Sequence, residues 1–194
     1  MITTEQVKKL RDKTGISIMQ CKKALEEADG NMEKAKIILR KKSGIIADKK
    51  TSRELKAGAV NAYIHNSGDI AAIVLLSSET DFVAKNEEFV KLAYDIAMHI
   101  AAMNPSFIKK EDITEDEINN AKEVFTKETK DKPKEMKEKI LQGKIDSYFK
   151  DKILLEQPFI KDPNSTIKDI IKSATQKFGE RIEVSNFARF SVRG

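Results

Sequence analysis

An unbroken apolar run from Ile70 to Leu76 constrains the fold of this chain more than any other stretch of its sequence. The run is rich in β-branched side chains, which is typical of a buried strand. A strand that is apolar on both faces must be covered on both, by helices or by another subunit. The sequence therefore predicts a sheet that packs against other elements on each side.

This run is the second half of a predicted hairpin. Gly58 opens the first strand over residues 59–65, and the turn at residues 66–68, NSG, leads into the second. A further strand closes the chain, because apolar and charged residues alternate from Ile182 to Val192. We expect these strands to form an antiparallel sheet.

Three short helices are predicted before the hairpin, over residues 1–44. Apolar residues recur there at helical intervals, which indicates a compact domain with a small core. Cys21 lies on the apolar stripe of the second helix, so we expect a buried small hydrophobe rather than a nucleophile. Each helix start carries residues suited to capping it: Thr3 with Gln6, Ser17 with Gln20, and Asn31.

The rest of the chain completes a three-part organisation of the α+β class. Residues 45–57 are basic and weakly patterned, and they are predicted to be a linker that is helical in part. Residues 58–194 are predicted to form an α+β core domain, in which an antiparallel sheet packs with helices. Within it, residues 106–152 form a strongly charged helical region. His99 lies off the apolar stripe of its helix and is expected to be structural or solvent-facing.

Composition limits the classes of partner and compartment. Lysine and arginine total 36 against 31 aspartate and glutamate, a net charge of +5 that is interleaved along the chain. A mild basic excess steers a protein toward acidic partners or RNA without specifying either. The single cysteine, the absence of a signal-peptide pattern over residues 1–6 and the absence of a long apolar segment predict a cytoplasmic protein that does not enter membranes.

The sequence carries no pattern typical of covalent catalysis. It has no glycine-rich phosphate loop, no histidine pair at ligand spacing, no serine elbow and no cysteine cluster. We therefore predict a binding protein rather than an enzyme, with no cofactor, no metal site and no nucleotide site of its own. A hydrolase that uses Cys21 with His65 or His99 is a distant alternative, because nothing in the sequence places these residues together.

The residues between the buried strand and the next helix form a corner that is constrained on both sides. Asn86 is predicted to cap the helix, which has acidic residues in its first turn. Asp81 and Phe82 stand side by side within the corner. Two interpretations remain open: Phe82 folds back into the core while Asp81 caps a turn, or the pair points outward and enters a partner.

Two separate motifs carry a resemblance to a known family. Residues 80–85, TDFVAK, resemble the core signature of the elongation factor Ts family, and residues 10–25, LRDKTGISIMQCKKAL, resemble its N-terminal signature. Residues 157–159, QPF, and 187–190, FARF, extend the resemblance over essentially the whole chain. It implies a translation elongation factor that acts as a guanine nucleotide exchange factor for the GTPase elongation factor Tu.

The resemblance also implies which residues contact that GTPase. The N-terminal helices would be a ubiquitin-associated-like domain whose loop and second helix dock on it, and the corner would promote GDP release near the Mg²⁺ and phosphate site. Two further contacts would lie on the core domain. The implied residues are Thr80, Asp81, Phe82 and Val83 at the corner, Ile18, Met19 and Lys22 in the N-terminal domain, and His65 and Phe178 in the core. For Ile18, Met19 and Phe178, packing in the core remains the open alternative.

The chain resembles a short form of the family with a single core subdomain. Its apolar strand would then be covered by a copy of itself, so a homodimer is predicted alongside binding to elongation factor Tu. The alternative function is an RNA- or ribosome-binding module that uses the lysines. Interleaved acids and the lack of an aromatic and basic stacking motif make nucleic acid the less expected partner.

Overall fold

A computed structural model describes residues 2–128 and 134–192 of the chain. Its first three helices are α1 (Thr4–Thr14), α2 (Ile18–Glu27) and α3 (Met32–Asp48), so the predicted three-helix segment is confirmed. α3 continues four residues past position 44, into the segment that the sequence assigns to a linker.

The predicted caps are present, with one difference. Thr3 and Gln6 form a complete capping box. The Asn31 side chain accepts hydrogen bonds from the backbone amides of Glu33 and Lys34 in the first turn of α3. Ser17 accepts a hydrogen bond from the Gln20 amide at 3.4 Å, but the Gln20 side chain does not return it. That side chain instead pairs with Gln176, so only half of the second box forms.

The core of these helices contains most of the residues that helical spacing predicts, including Cys21, which is fully buried, whereas Ile18 on the same predicted stripe is 57% exposed. Burial raises the pKa of the Cys21 thiol, which makes it a weaker nucleophile and agrees with a packing role. The buried cluster consists of Val7, Leu10, Ile16, Cys21, Ala24, Leu25, Ala28, Ala35 and Leu39.

The described residues contain the three strands that the sequence predicts and two more. β1 (Ala57–Ile64), β2 (Ile70–Ser78) and β5 (Glu183–Ser191) form a three-stranded sheet in the order β1-β2-β5. β3 (Pro158–Phe159) and β4 (Asp162–Thr166) form a separate antiparallel pair. The predicted α+β class is therefore confirmed.

The remaining helices lie between and after these strands. α4 (Asp81–Ala84) and α5 (Glu87–Met103) follow β2, α6 (Glu115–Glu128) and α7 (Lys134–Lys150) lie in the predicted helical region 106–152, and α8 (Ile167–Phe178) precedes β5. Residues 129–133 of that region are outside the described residues.

The chain divides into two compact units. The first contains residues 1–61, 75–93 and 168–185, and the second contains residues 62–74, 94–167 and 186–194. In the second unit α6 and α7 pack around a cluster that includes Ile145 and Phe149. The first unit contains α1 to α3 together with the corner at residues 79–84 and most of α8.

His99 has a structural role in the second unit, where it is fully buried. Its Nε2 lies 2.9 Å from Oε1 of Gln157, and its Nδ1 accepts a hydrogen bond from the backbone amide of Ile160 at 3.4 Å. The ring therefore carries its proton on Nε2 and is neutral. Desolvation lowers the pKa of His99 more than the Gln157 hydrogen bond raises it.

This burial predicts a loss of stability in mild acid. The unfolded chain protonates His99 below its ordinary pKa of 6.5 while the folded chain resists, so acid favours unfolding. The contribution of His99 to the free energy of unfolding is fully present above pH 6.5. It falls as the pH drops toward the lower pKa of His99 in the folded chain, by no more than ~1.4 kcal/mol per pH unit. Urea unfolding at pH 7.5 and 5.5 measures it.

His65, the other histidine of the chain, provides the control because it is exposed. We expect His99→Gln to flatten the dependence of unfolding free energy on pH and His65→Gln to leave it as in the parent. Equal pH dependence in the parent and in His99→Gln would contradict the assignment.

A candidate partner-binding corner

The candidate site is built on α4, a single helical turn between β2 and α5. Thr80 caps this turn, because its Oγ1 accepts a hydrogen bond from the Val83 amide at 3.4 Å. Asn86 then caps α5 by accepting a hydrogen bond from the Glu88 amide at 2.9 Å, as the sequence predicts. Both ends of the short turn are therefore held by local hydrogen bonds.

The turn buries one side and exposes the other. Val83 and Ala84 are buried, at 6% and 8% exposure. Successive residues of a helix are rotated by about 100°, so burying these two directs Asp81 and Phe82 away from the core. Phe82 is 83% exposed, and the structure presents its ring to solvent. Val83 anchors the turn from beneath.

Asp81 is paired on the surface with Lys85, one turn further along. Its Oδ2 accepts a hydrogen bond from Lys85 Nζ at 2.8 Å. This hydrogen bond, with the attraction between the charges, lowers the pKa of Asp81 and raises the pKa of Lys85. Asp81 is therefore a carboxylate at neutral pH, beside the exposed ring of Phe82.

Two glutamates hold the backbone that enters the turn. Glu180 accepts hydrogen bonds from the amides of Glu79 and Thr80, at 3.1 and 3.0 Å, and from Thr80 Oγ1 at 2.6 Å. Glu79 accepts in return from the Arg181 amide at 2.6 Å and from the Arg53 guanidinium at 3.1 Å. We call this reciprocal set of bonds between residues 79–80 and 180–181 the glutamate clamp.

The clamp also sets the charge of Glu79. Partial burial alone would raise the pKa of Glu79, but the hydrogen bonds from the Arg181 amide and the Arg53 guanidinium outweigh it, so the pKa lies below its ordinary value. Glu79 is therefore ionised at neutral pH, and its two oxygens accept hydrogen bonds from the Arg53 guanidinium and the Arg181 amide.

The N-terminal candidates lie on an exposed part of α2. Ile18 is 57% and Met19 is 71% exposed, whereas Ile16 just before them is buried and fixes the loop. Lys22 is also exposed, and its Nζ lies 3.9 Å from Oε1 of Glu26. Two adjacent large apolar side chains in solvent form a small patch suited to contact with another protein.

The last turns of α8 contact both α2 and the start of α5. Gln176 Nε2 donates a hydrogen bond to Gln20 Oε1 at 2.6 Å. Lys177 pairs with Glu88. The N-terminal patch and the corner are thus tied to one helix within the first unit.

The two remaining candidates lie in different compact units. Phe178 is half-buried and its ring packs edge-on against Phe89, with ring centres 5.8 Å apart. His65 is exposed, and its Nδ1 lies 3.0 Å from the Tyr63 hydroxyl. Phe178 therefore has a packing partner in the structure, while His65 is a surface residue.

Sequence reasoning missed the clamp. Glu79 stands inside the corner motif, but nothing in the local pattern distinguishes it from other surface acids. Glu180 follows Gly179, which ends α8 in the left-handed conformation, and this helix stop was the one signal available. Its partners lie 100 residues away in the chain, beyond the reach of any spacing rule.

The structure also bears on metal binding and on membrane insertion. Within residues 2–128 and 134–192, no group of three or more His, Cys, Asp or Glu side chains is placed to hold a metal ion. No helix in the same part of the chain is long and apolar enough to cross a membrane.

Comparisons with known proteins give one consistent result. The family model described as elongation factor TS matches residues 36–194. The elongation factor Ts of Thermodesulfovibrio yellowstonii is 50% identical over 192 residues, which are 98% of this chain and 96% of the relative. That of Thermosipho melanesiensis is 46% identical over 194 residues and 99% of both chains. These relatives therefore share the short form of this chain.

Proposed function

The chain belongs to the elongation factor Ts family of translation elongation factors, and we propose that it promotes GDP release from elongation factor Tu through the corner at Asp81 and Phe82. The observation that carries the proposal is the 83% exposure of Phe82 on a capped, clamped turn. A large aromatic side chain held in solvent on a fixed backbone is suited to insertion into a partner.

Phe82 supplies the driving force for insertion. Fully burying an exposed Phe side chain contributes roughly 1.5–3 kcal/mol. A GTPase holds its nucleotide through a phosphate-binding loop, an adjacent helix and Mg²⁺. A ring that enters between these elements displaces them and weakens the hold on GDP.

Asp81 delivers negative charge to the same place. Its lowered pKa keeps it ionised, and Lys85 balances its charge in the free protein. Near the Mg²⁺ and phosphate site the carboxylate disturbs the network that positions the metal. No covalent step is required, so the chain acts by binding and not as an enzyme.

Ile18, Met19 and Lys22 supply affinity away from the corner. Their exposed side chains dock the N-terminal helices on the GTPase, and this binding makes insertion of Phe82 favourable. By linkage, the exchange factor and GDP each weaken the binding of the other. His65 and Phe178 are further proposed contacts, and the half-burial of Phe178 makes its exposed edge the part available to a partner.

We also propose that the chain forms a homodimer through one face of its sheet. In the second unit, Ile64, Ile73, Phe190 and Val192 are 40–83% exposed. A second copy would cover these apolar side chains and meet the requirement that both faces of β2 be covered. Cys21 is fully buried, so the dimer is held without a disulfide.

Replacing Phe82 with Ala should slow GDP release while the fold remains intact. The loss of the inserted ring corresponds to a roughly 10- to 150-fold lower maximal rate. The measurement is the release of a fluorescent GDP analogue from elongation factor Tu with increasing exchange factor and excess unlabelled GDP. Val124→Ala, at another exposed apolar residue, which lies on α6, should behave as the parent. A folded Phe82→Ala variant with the parental rate would remove the corner from the mechanism.

Replacing Ile18 and Met19 together with Ala should separate affinity from rate. We expect a higher half-saturating concentration in the same assay with a maximal release rate close to that of the parent, because the patch contributes binding only. Ile37→Ala, at an exposed residue of α3, is the matched control. A lower maximal rate at unchanged half-saturation would contradict the docking role.

Placing a charge on the sheet face should dissociate the dimer. Ile64→Lys buries an unpaired ammonium in the proposed interface, so sedimentation equilibrium should change from dimer mass to monomer mass. Ile45→Lys, at an exposed residue of α3, should leave the mass unchanged. A parental monomer at tens of micromolar, or a dimer that persists in Ile64→Lys, would refute this interface.

A further inference from the structure

The glutamate clamp points to a residue that controls exchange without touching the GTPase. We infer that Glu180 is a positioning residue, which orients Phe82 by fixing the backbone at the entrance of α4. This inference rests on the proposed function of the corner and adds a residue that the elongation factor Ts resemblance does not assign.

The geometry at Glu180 uses both oxygens of its carboxylate. Oε2 accepts from two consecutive amides, those of Glu79 and Thr80, and Oε1 accepts from Thr80 Oγ1 at 2.6 Å. These are the last residues before α4 begins at Asp81. Glu180 therefore supplies three of the hydrogen bonds that set the direction in which the chain enters the turn.

The Thr80 hydroxyl passes this constraint into the turn. Its proton is donated to Glu180, so its lone pairs are free to accept the Val83 amide and cap α4. A glutamine at position 180 would offer one acceptor oxygen and an NH₂ group that accepts nothing. One of the three hydrogen bonds would then be lost or reversed, which weakens the cap.

Glu180 is itself held from two directions. Gly179 ends α8 at φ +74°, a conformation that glycine adopts without strain, and its carbonyl accepts a hydrogen bond from Lys50 Nζ at 2.6 Å. On the other side, the Arg181 amide donates to Glu79. The clamp thus connects the corner to α8, whose last turns contact α2 and α5.

A fixed entrance matters because Phe82 receives no support from packing on its own side chain. With 83% of the residue exposed, the position of the ring follows the backbone of a four-residue helix. If that backbone is released, the ring also adopts orientations from which it cannot insert. A smaller fraction of bound complexes with elongation factor Tu then releases GDP. Docking by the N-terminal patch is unaffected, so the maximal release rate falls while half-saturation stays nearly constant.

The test is a double-mutant cycle between Glu180 and Phe82, read by GDP release from elongation factor Tu. We expect Glu180→Ala to lower the maximal rate roughly 3- to 30-fold, the range typical of losing a helix cap, and Glu180→Gln to give a smaller loss. In the Phe82→Ala background, Glu180→Ala should have no further effect, because Glu180 acts through the ring. Glu33→Ala, which removes an exposed carboxylate on α3, is the control.

A second measurement reports on the clamp directly. Amide hydrogen exchange of Glu79, Thr80 and Val83 should become faster in both Glu180 variants, while the amides of α1 remain protected. Amide hydrogen exchange remains informative even if a step other than insertion of Phe82 limits the rate of GDP release. Unchanged exchange at these three amides would overturn the inference.

The outcomes separate this inference from the function on which it rests. If Phe82→Ala slows release but Glu180→Ala does not, the corner function stands and the role of Glu180 is refuted. If Glu180→Ala lowers the rate equally in both backgrounds, Glu180 acts by another route and the inference is again wrong. If Phe82→Ala leaves the rate of GDP release unchanged, the corner function is refuted, and a positioning role for Glu180 is refuted with it.

Discussion

Burial of Val83 and Ala84 in a single helical turn is the constraint on which the candidate site depends. Once these two side chains face inward, the rotation of the helix leaves Asp81 and Phe82 in solvent. An exposed aromatic ring forgoes the favourable burial that most Phe residues obtain on folding. The chain tolerates this because the backbone of the turn is held by caps and carboxylates rather than by the ring.

The glutamate clamp and α8 together hold two separate surfaces, the corner at Phe82 and the N-terminal patch at Ile18. Glu79 and Glu180 join the start of the corner to the residues that follow α8, while Gln176 joins the same helix to α2. The patch at Ile18 and the ring at Phe82 therefore belong to one compact unit, although the sequence indicates a domain and a core separated by a linker. In the proposed mechanism, binding energy from the patch would act on the corner without a flexible connection between them.

Most secondary structure was predictable because its causes are local. The apolar run at β2 and the caps at Thr3, Asn31 and Asn86 each act within a few residues. The second capping box formed only in part because Gln20 bonds to Gln176 instead, and that partner lies 156 residues away. His99 likewise depends on Gln157 and Ile160, which no helical periodicity of α5 identifies.

The sequence by itself determined the α+β class, the three N-terminal helices and the place of the Asp81-Phe82 pair between a strand and a helix, since hydrophobic period and capping chemistry act over short distances. It left open whether Phe82 is core or surface, because a one-turn helix is too short for periodicity to choose a buried side. Only the tertiary structure decided this, by burying Val83 and Ala84 and by bringing Glu180 to the amides of the corner. Such contacts depend on how distant segments meet in space, which no pattern along the chain encodes.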